Sequence, residues 1–176
     1  IHEQLSAREF DILLALGLAG ERPRITLERF ALNIRDYFGN KDNLGHSWRG
    51  QYIELGGPEA LRTNVPLLEL EEHLTELGFL VGVSNYAGSF VCNEVYYRAM
   101  AYQQSHARLK YVLFMHLPEP ENLAKTLMQA GNSDFGTLNS EAERKQKALD
   151  IMFNAVIKTI VFLGRKVIAP DGEAFA

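Results

Sequence analysis

The stretch "VSNYAGSFVCNEVYYRAM", residues 83–100, joins two kinds of pattern. It completes "FLVGVSN" (79–85), a short apolar run that reads as a strand. It then opens "FVCNEVYYRAMAYQQ" (90–104), a helix with Val91, Val95 and Met100 along one side. "NYAGS" between them is small and turn-forming. Strands and helices alternate on both sides of this junction. "FDILLALG" (10–17) reads as a buried parallel-type strand and "KYVLFMHL" (110–117) as another. "VPLLELEEHLTELG" (65–78) spaces Leu67, Leu70, Leu74 and Leu77 as a helix does, with Pro66 suited to its first turn and Gly78 to its end.

The remaining segments are less regular. "ITLERFALNI" (25–34) is ambiguous: Ile25 and Leu27 alternate as in a strand, while Phe30, Leu32 and Ile34 also face one way. "RDYFGNKDNLGHSWRGQ" (35–51) is rich in turn residues and reads as a loop. "PEPENLAKTLMQAGNSDFGT" (118–137) reads as a helical turn or two followed by a loop. Ser140 and Glu143 form a capping box ahead of a final helix, "EAERKQKALDIMFNAVIKTIVFL" (141–163). This order predicts a three-layer α/β/α domain around a mostly parallel sheet, a single domain over residues 1–176. "IHEQLSARE" at the start reads as the end of a helix running into a strand, so further residues are expected ahead of Ile1.

Composition narrows the function. With 47% apolar and 23% charged residues the chain is ordinary for a soluble globular domain. A net charge of −4 with no basic cluster argues against nucleic acid as a partner. No apolar run approaches the roughly 18 residues of a membrane span. The chain's only cysteine cannot form an internal disulfide, which fits a reducing compartment, here the cytoplasm.

In parallel α/β sheets chemistry collects at the carboxyl ends of strands. Three residues are expected to converge there: Glu28, Cys92 and His116. Cys92 falls in the first turn of a helix, whose partial positive charge favours thiolate over thiol. An imidazole would complete a thiolate–imidazolium pair, a carboxylate would orient it, and the Cys92 N–H would donate to an oxyanion. Each residue also has a plain reading. A lone cysteine is most often packing, His116 a strand-end histidine bonded to backbone, and Glu28 beside Arg29 a surface ion pair. Both readings stand on spacing alone. No metal or cofactor motif appears: "HEQLS" is not H-E-x-x-H, and "GLAGERP" lacks the third glycine of a dinucleotide loop. His46, His73 and His106 read as solvated, and Tyr86, Tyr96, Tyr97 and Tyr102 as packing around the Cys92 helix.

The segment around Cys92 closely resembles the catalytic stretch of the pyroglutamyl peptidase I (pyrrolidone-carboxylate peptidase) family, V-S-N-x-A-G-x-F/Y-V-C-N. The family's histidine follows its cysteine by 24 positions, as His116 follows Cys92, and its I-x-x-E-R-x-A-x-N segment is matched by "ITLERFALN" with Glu28. The resemblance implies a cysteine peptidase that removes an N-terminal pyroglutamyl residue through a thioester. In it Cys92 is the nucleophile, His116 the base and then acid, and Glu28 the orienting group. It also implies that Leu18, Phe90 and Val91 border the lactam pocket, that the partners are pyroglutamyl peptides, and that the protein is a homo-oligomer. The sequence departs from the family in places. Leu18 stands where a glutamine is usual, and Phe38 stands where an arginine aids the oxyanion, with Arg35 nearby as a substitute. The family's initial strand and G-F-x-P-F-G segment have no match. Those departures leave a catalytically inactive or specificity-shifted relative as the alternative.

Overall fold

The computed structural model describes residues 9–169. They form six strands and five helices, in the order β1 (Ile12–Leu18), β2 (Ile25–Glu28), β3 (Phe30–Leu32), β4 (Ala60–Arg62), α1 (Leu67–Glu76), β5 (Val81–Ser84), α2 (Val91–Gln104), β6 (Tyr111–Leu117), α3 (Pro120–Gln129), α4 (Ser133–Gly136) and α5 (Glu141–Ile168). Four strands form one sheet in the order β1-β6-β2-β5. The Lys110 N–H bonds Asp11 O and the Ala19 N–H bonds Leu117 O, so β1 and β6 run parallel. The Ile25 N–H bonds Leu80 O and the Arg29 N–H bonds Ser84 O, so β2 and β5 do too. β2 and β6 are antiparallel, with Thr26 opposite His116 and Leu27 opposite Met115. The fold is therefore α/β with a mostly parallel sheet, as expected.

The ambiguous stretch 25–34 resolves into two strands in two sheets. β3 leaves the main sheet and pairs antiparallel with β4, Ala31 facing Leu61. The break falls at Arg29, whose N–H still bonds Ser84 O while its own carbonyl accepts from the Thr63 N–H. After the break Ala31 and Asn33 are buried, while the apolar Phe30, Leu32 and Ile34 are partly buried. β4 was not expected, since three residues beside a Gly-Gly-Pro turn carry too little pattern. β1 also differs from expectation: it ends the sheet order and is half-buried, with Leu16 49% and Leu18 61% exposed.

Contacts divide the described residues into two compact units. One comprises residues 9–15, 28–65 and 84–114; the other comprises 16–27, 66–83 and 115–169. In the first, α2 packs on β3 and β4 over a core that includes Ala31, Leu61, Tyr96, Tyr97, Met100 and Phe114. The buried face of α2 runs through Asn93, Tyr96, Tyr97, Ala99 and Met100, while Val91 is exposed. Of the expected Val91–Val95–Met100 side, Met100 is buried and Val95 packs against the core, so only Val91 departs, and the polar Asn93 turns inward. Of the four tyrosines expected to pack, Tyr96 and Tyr97 are fully buried and Tyr102 packs partly buried against the same core, while Tyr86 is half exposed.

In the second unit α1 and α3 pack on α5, and α4 on α3. α1 buries Leu67, Leu70 and Leu74. Leu77 falls just past the helix end and is 47% exposed. α3 is longer than the expected turn or two, because Leu123, Ala124 and Leu127 give it a buried face. The α5 capping box is present: Ser140 Oγ accepts from the Glu143 N–H, and Glu143 returns a bond to the Ser140 N–H at 3.0 Å. α5 runs to Ile168, five residues past the expected end, and meets its neighbours through Ala148, Met152, Ala155, Thr159 and Leu163. The reading of "IHEQLSARE" as a helix end falls almost wholly outside the described residues.

α1 ends in a reciprocal backbone cap. The Phe79 N–H reaches Leu74 O and the Gly78 N–H reaches Thr75 O, with Gly78 at φ +86°. A Cβ at Gly78 would touch nothing within 4 Å, so only the left-handed backbone penalises a side chain there. Gly78→Ala is expected to lower the unfolding free energy by about 1 kcal/mol, read by urea denaturation. An unchanged midpoint would refute this account of the helix end.

Candidate active site

The turn that delivers Cys92 is built from small residues. Gly88 takes φ +90°, a conformation that side chains resist. Ser89 and Asp36 then exchange two bonds: Ser89 Oγ donates to Asp36 O at 2.6 Å, and the Asp36 N–H donates to Ser89 O at 3.0 Å. Phe90, in extended backbone, precedes the first helical residue and offers no capping side chain. The first-turn amides of α2 are thus not taken by a capping side chain, and Cys92, second residue of the helix, lies among them. Its thiol is free and half-buried against the core of its unit.

Asn93, the next residue, is fully buried. Its Oδ1 accepts from the Leu32 N–H at 2.8 Å, and its Nδ2 donates to Leu32 O at 2.9 Å and Ile34 O at 3.0 Å. Glu28, the last residue of β2, is also fully buried. That removes the surface ion-pair reading. Its backbone carbonyl accepts from Tyr96 Oη at 2.8 Å, so the helix that carries Cys92 is bonded to the residue that carries the carboxylate. Glu28 and Cys92 belong to the same compact unit. His116 belongs to the other, where it is 4% exposed in β6 opposite Thr26, whose hydroxyl accepts from Arg22. Neither Glu28 nor His116 is a solvated surface group.

The residues expected at the substrate pocket differ among themselves. Leu18 and Val91 are exposed, while Phe90 packs edge-on against Tyr37, ring centroids 4.5 Å apart. Phe38 is 68% exposed at φ 50°, with the Arg49 guanidinium 5.3 Å from its ring. Arg35, the substitute considered for an oxyanion arginine, has other partners. It bonds Tyr52 O at 3.1 Å, stacks 4.3 Å over Trp48 and lies 3.9 Å from Glu94. Glu94 also accepts from Tyr37 Oη at 2.9 Å and from Arg98 Nη2 at 2.8 Å. Loop 35–51 is thereby pinned to the first turns of the Cys92 helix. Sequence reasoning missed Tyr37, Asn93 and Tyr96 as supports. The inward-turned asparagine beside the cysteine was the one signal available. His46 and His106 are exposed, as expected, but His73 is half-buried, its ring 5.4 Å from that of Phe162.

The sequence model of the family described as pyroglutamyl peptidase matches residues 1–158. The chain belongs to the pyroglutamyl peptidase family. It is 34% identical over 118 residues to the pyrrolidone-carboxylate peptidase of Fusobacterium nucleatum, covering 67% of this chain and 55% of that one. It is 39% identical over 110 residues to that of Halalkalibacterium halodurans, covering 62% and 54%. The chain thus spans about half the length of the curated relatives it matches. Among solved structures it is similar to the pyrrolidone carboxyl peptidase of Fervidobacterium islandicum, with TM-score 0.68, 30% identity, and coverage of 89% of this chain and 74% of that one. The pyroglutamyl peptidase I of Bacillus amyloliquefaciens gives TM-score 0.65 and 31% identity, with coverage of 85% and 67%.

Burial, helped by the hydrogen bond to Glu94, pushes the Tyr37 hydroxyl from its ordinary 10.0 up to about 12. A raised tyrosine pKa favours the neutral, folded form. Its contribution is intact below pH 10 and is lost as pH rises through 12. Wild type is therefore expected to exceed Tyr37→Phe in stability at pH 8, with the difference shrinking above pH 10. Urea midpoints across that range test this; a pH-independent difference would contradict it.

Proposed function

We propose that this chain carries the catalytic part of a thiol peptidase that removes an N-terminal pyroglutamyl residue from peptides. The observation that carries the reading is Cys92 at the uncapped start of α2, in a family member whose Glu28 is fully buried in the same unit. A buried carboxylate is costly unless its charge serves a partner. In the proposed reaction His116 takes the Cys92 proton and Glu28 orients the imidazole. The thiolate attacks the pyroglutamyl carbonyl carbon, and the Cys92 N–H donates to the oxyanion that forms. His116 then gives its proton to the amine of the departing peptide, leaving a thioester on Cys92. Water, deprotonated by His116, adds to that thioester; pyroglutamate leaves and the thiol is regenerated. Leu18, Phe90 and Val91 are proposed to border the lactam ring. The single cysteine supports a reducing, cytoplasmic setting. Among the described residues no helix is long and apolar enough to cross a membrane.

We also propose that the protein self-associates through α5. Leu149, Phe153, Ile157, Ile160, Val161 and Ile168 recur at helical spacing, and all are exposed, Phe153 by 66% and Ile168 by 74%. A contiguous apolar stripe of this kind marks an interface more often than free surface.

The full-length protein is expected to release a fluorophore from a pyroglutamyl amide. Cys92→Ala should abolish turnover, and Glu28→Gln should reduce kcat at least about a hundredfold. Turnover that survives Cys92→Ala would sink the proposal. Phe153→Glu is expected to shift the wild-type oligomer towards monomer in sedimentation velocity; a monomeric wild type at micromolar concentration would refute association through α5.

A further inference from the structure

The helix that carries Cys92 is held at two heights by buried polar groups. Asn93 ties its first turn to Leu32, at the end of β3, and to Ile34 just beyond it. Tyr96, one turn beyond Cys92, reaches a different strand: its hydroxyl donates to the backbone carbonyl of Glu28 at 2.8 Å. Its ring is fully buried, 5.7 Å from that of Phe114, so the aromatic body is fixed independently of the hydroxyl. Burial drives the Tyr96 ionisation upward, outweighing the opposing bond from Thr63, and the nearby Glu28 charge adds to it. The phenol therefore keeps its proton and stays a donor. β2 ends at Glu28, where the backbone begins to turn out of the main sheet. A strand end at such a turn has fewer ladder bonds to hold it, and a side-chain donor on its last carbonyl supplies one.

We propose that Tyr96 is a positioning residue: its hydroxyl sets the end of β2 that bears Glu28 against the helix that bears Cys92. The proposal deepens the peptidase reading and rests on it for its turnover measurement. Tyr97 provides an internal control. It is equally buried on the same helix, and its hydroxyl donates to Pro58 O at 2.9 Å, away from Glu28 in sequence. Tyr96→Phe and Tyr97→Phe each remove one buried hydroxyl and keep the ring. If Tyr96 only stabilises the fold, the two variants behave alike.

The test uses the full-length protein and both variants. It measures kcat and KM on a pyroglutamyl amide, the pH dependence of Cys92 alkylation by iodoacetamide, and Tm. Tyr96→Phe is expected to lower kcat about tenfold or more with KM within about twofold, the pattern of a misplaced catalytic group. It is also expected to move the alkylation midpoint to higher pH. Tyr97→Phe is expected to leave both at wild-type values while losing a similar amount of Tm. Tyr96→Phe matching Tyr97→Phe in kcat and alkylation midpoint would overturn the proposal. Wild-type protein without turnover would overturn the peptidase reading alone. The alkylation comparison then decides Tyr96 by itself, an unmoved midpoint counting against it.

Discussion

The side chain of Asn93 sets the rotation of the helix on which the candidate site depends. Two of its bonds go to Leu32, the last residue of β3, the third goes to Ile34 just beyond it, and Asn93 is fully buried. Leaving such groups unpaired away from water costs about 1–3 kcal/mol each, so a rotated helix would lose more than a contact. The clamp points Tyr96, Tyr97 and Met100 into the core. Cys92, one residue back, is then left at the border of the core with the first-turn amides around it. A leucine at 93 would bury as well, but it would permit neighbouring rotations of comparable packing. Three directed bonds to the backbone of Leu32 and Ile34 permit a single one.

A second constraint is the change of sheet after Glu28. β2 obeys the parallel ladder with β5 up to the Arg29 N–H, and the chain then pairs with β4. Glu28 is thus at the rim of the main sheet yet beneath the α2 helix, and its carboxylate is withdrawn from water. The residues that follow, Arg35 to Tyr37, return to the start of α2 through Ser89 and Glu94. Strand end, loop and helix start therefore brace one another locally, around the turn that carries Cys92.

Much of this was legible in the sequence. Period-3.6 leucines placed α1, an apolar run placed β6, and the Ser140–Glu143 pair placed the start of α5, because each signal lies within one turn or one strand of chain. The strand-turn-helix at Cys92 was legible for the same reason. β4 was not, since three residues carry no period. α3 was read too short, because its face uses alanine where a longer apolar side chain would have marked it. The buried side of α2 was read only in part, at Val95 and Met100, because it includes an asparagine, which composition assigns to the surface until its three partners are known.

By itself the sequence determined the α/β alternation, the helix ends and the choice of Glu28, Cys92 and His116 as the residues to follow, since these rest on local period, capping chemistry and spaced motifs. Tertiary structure alone decided which strands are neighbours, that the chain changes sheets at Arg29, and that Tyr96 bonds to Glu28 across 68 residues. Those outcomes depend on hydrogen-bond partners far apart in the chain, whose identity is settled by which burial satisfies the most backbone groups at once.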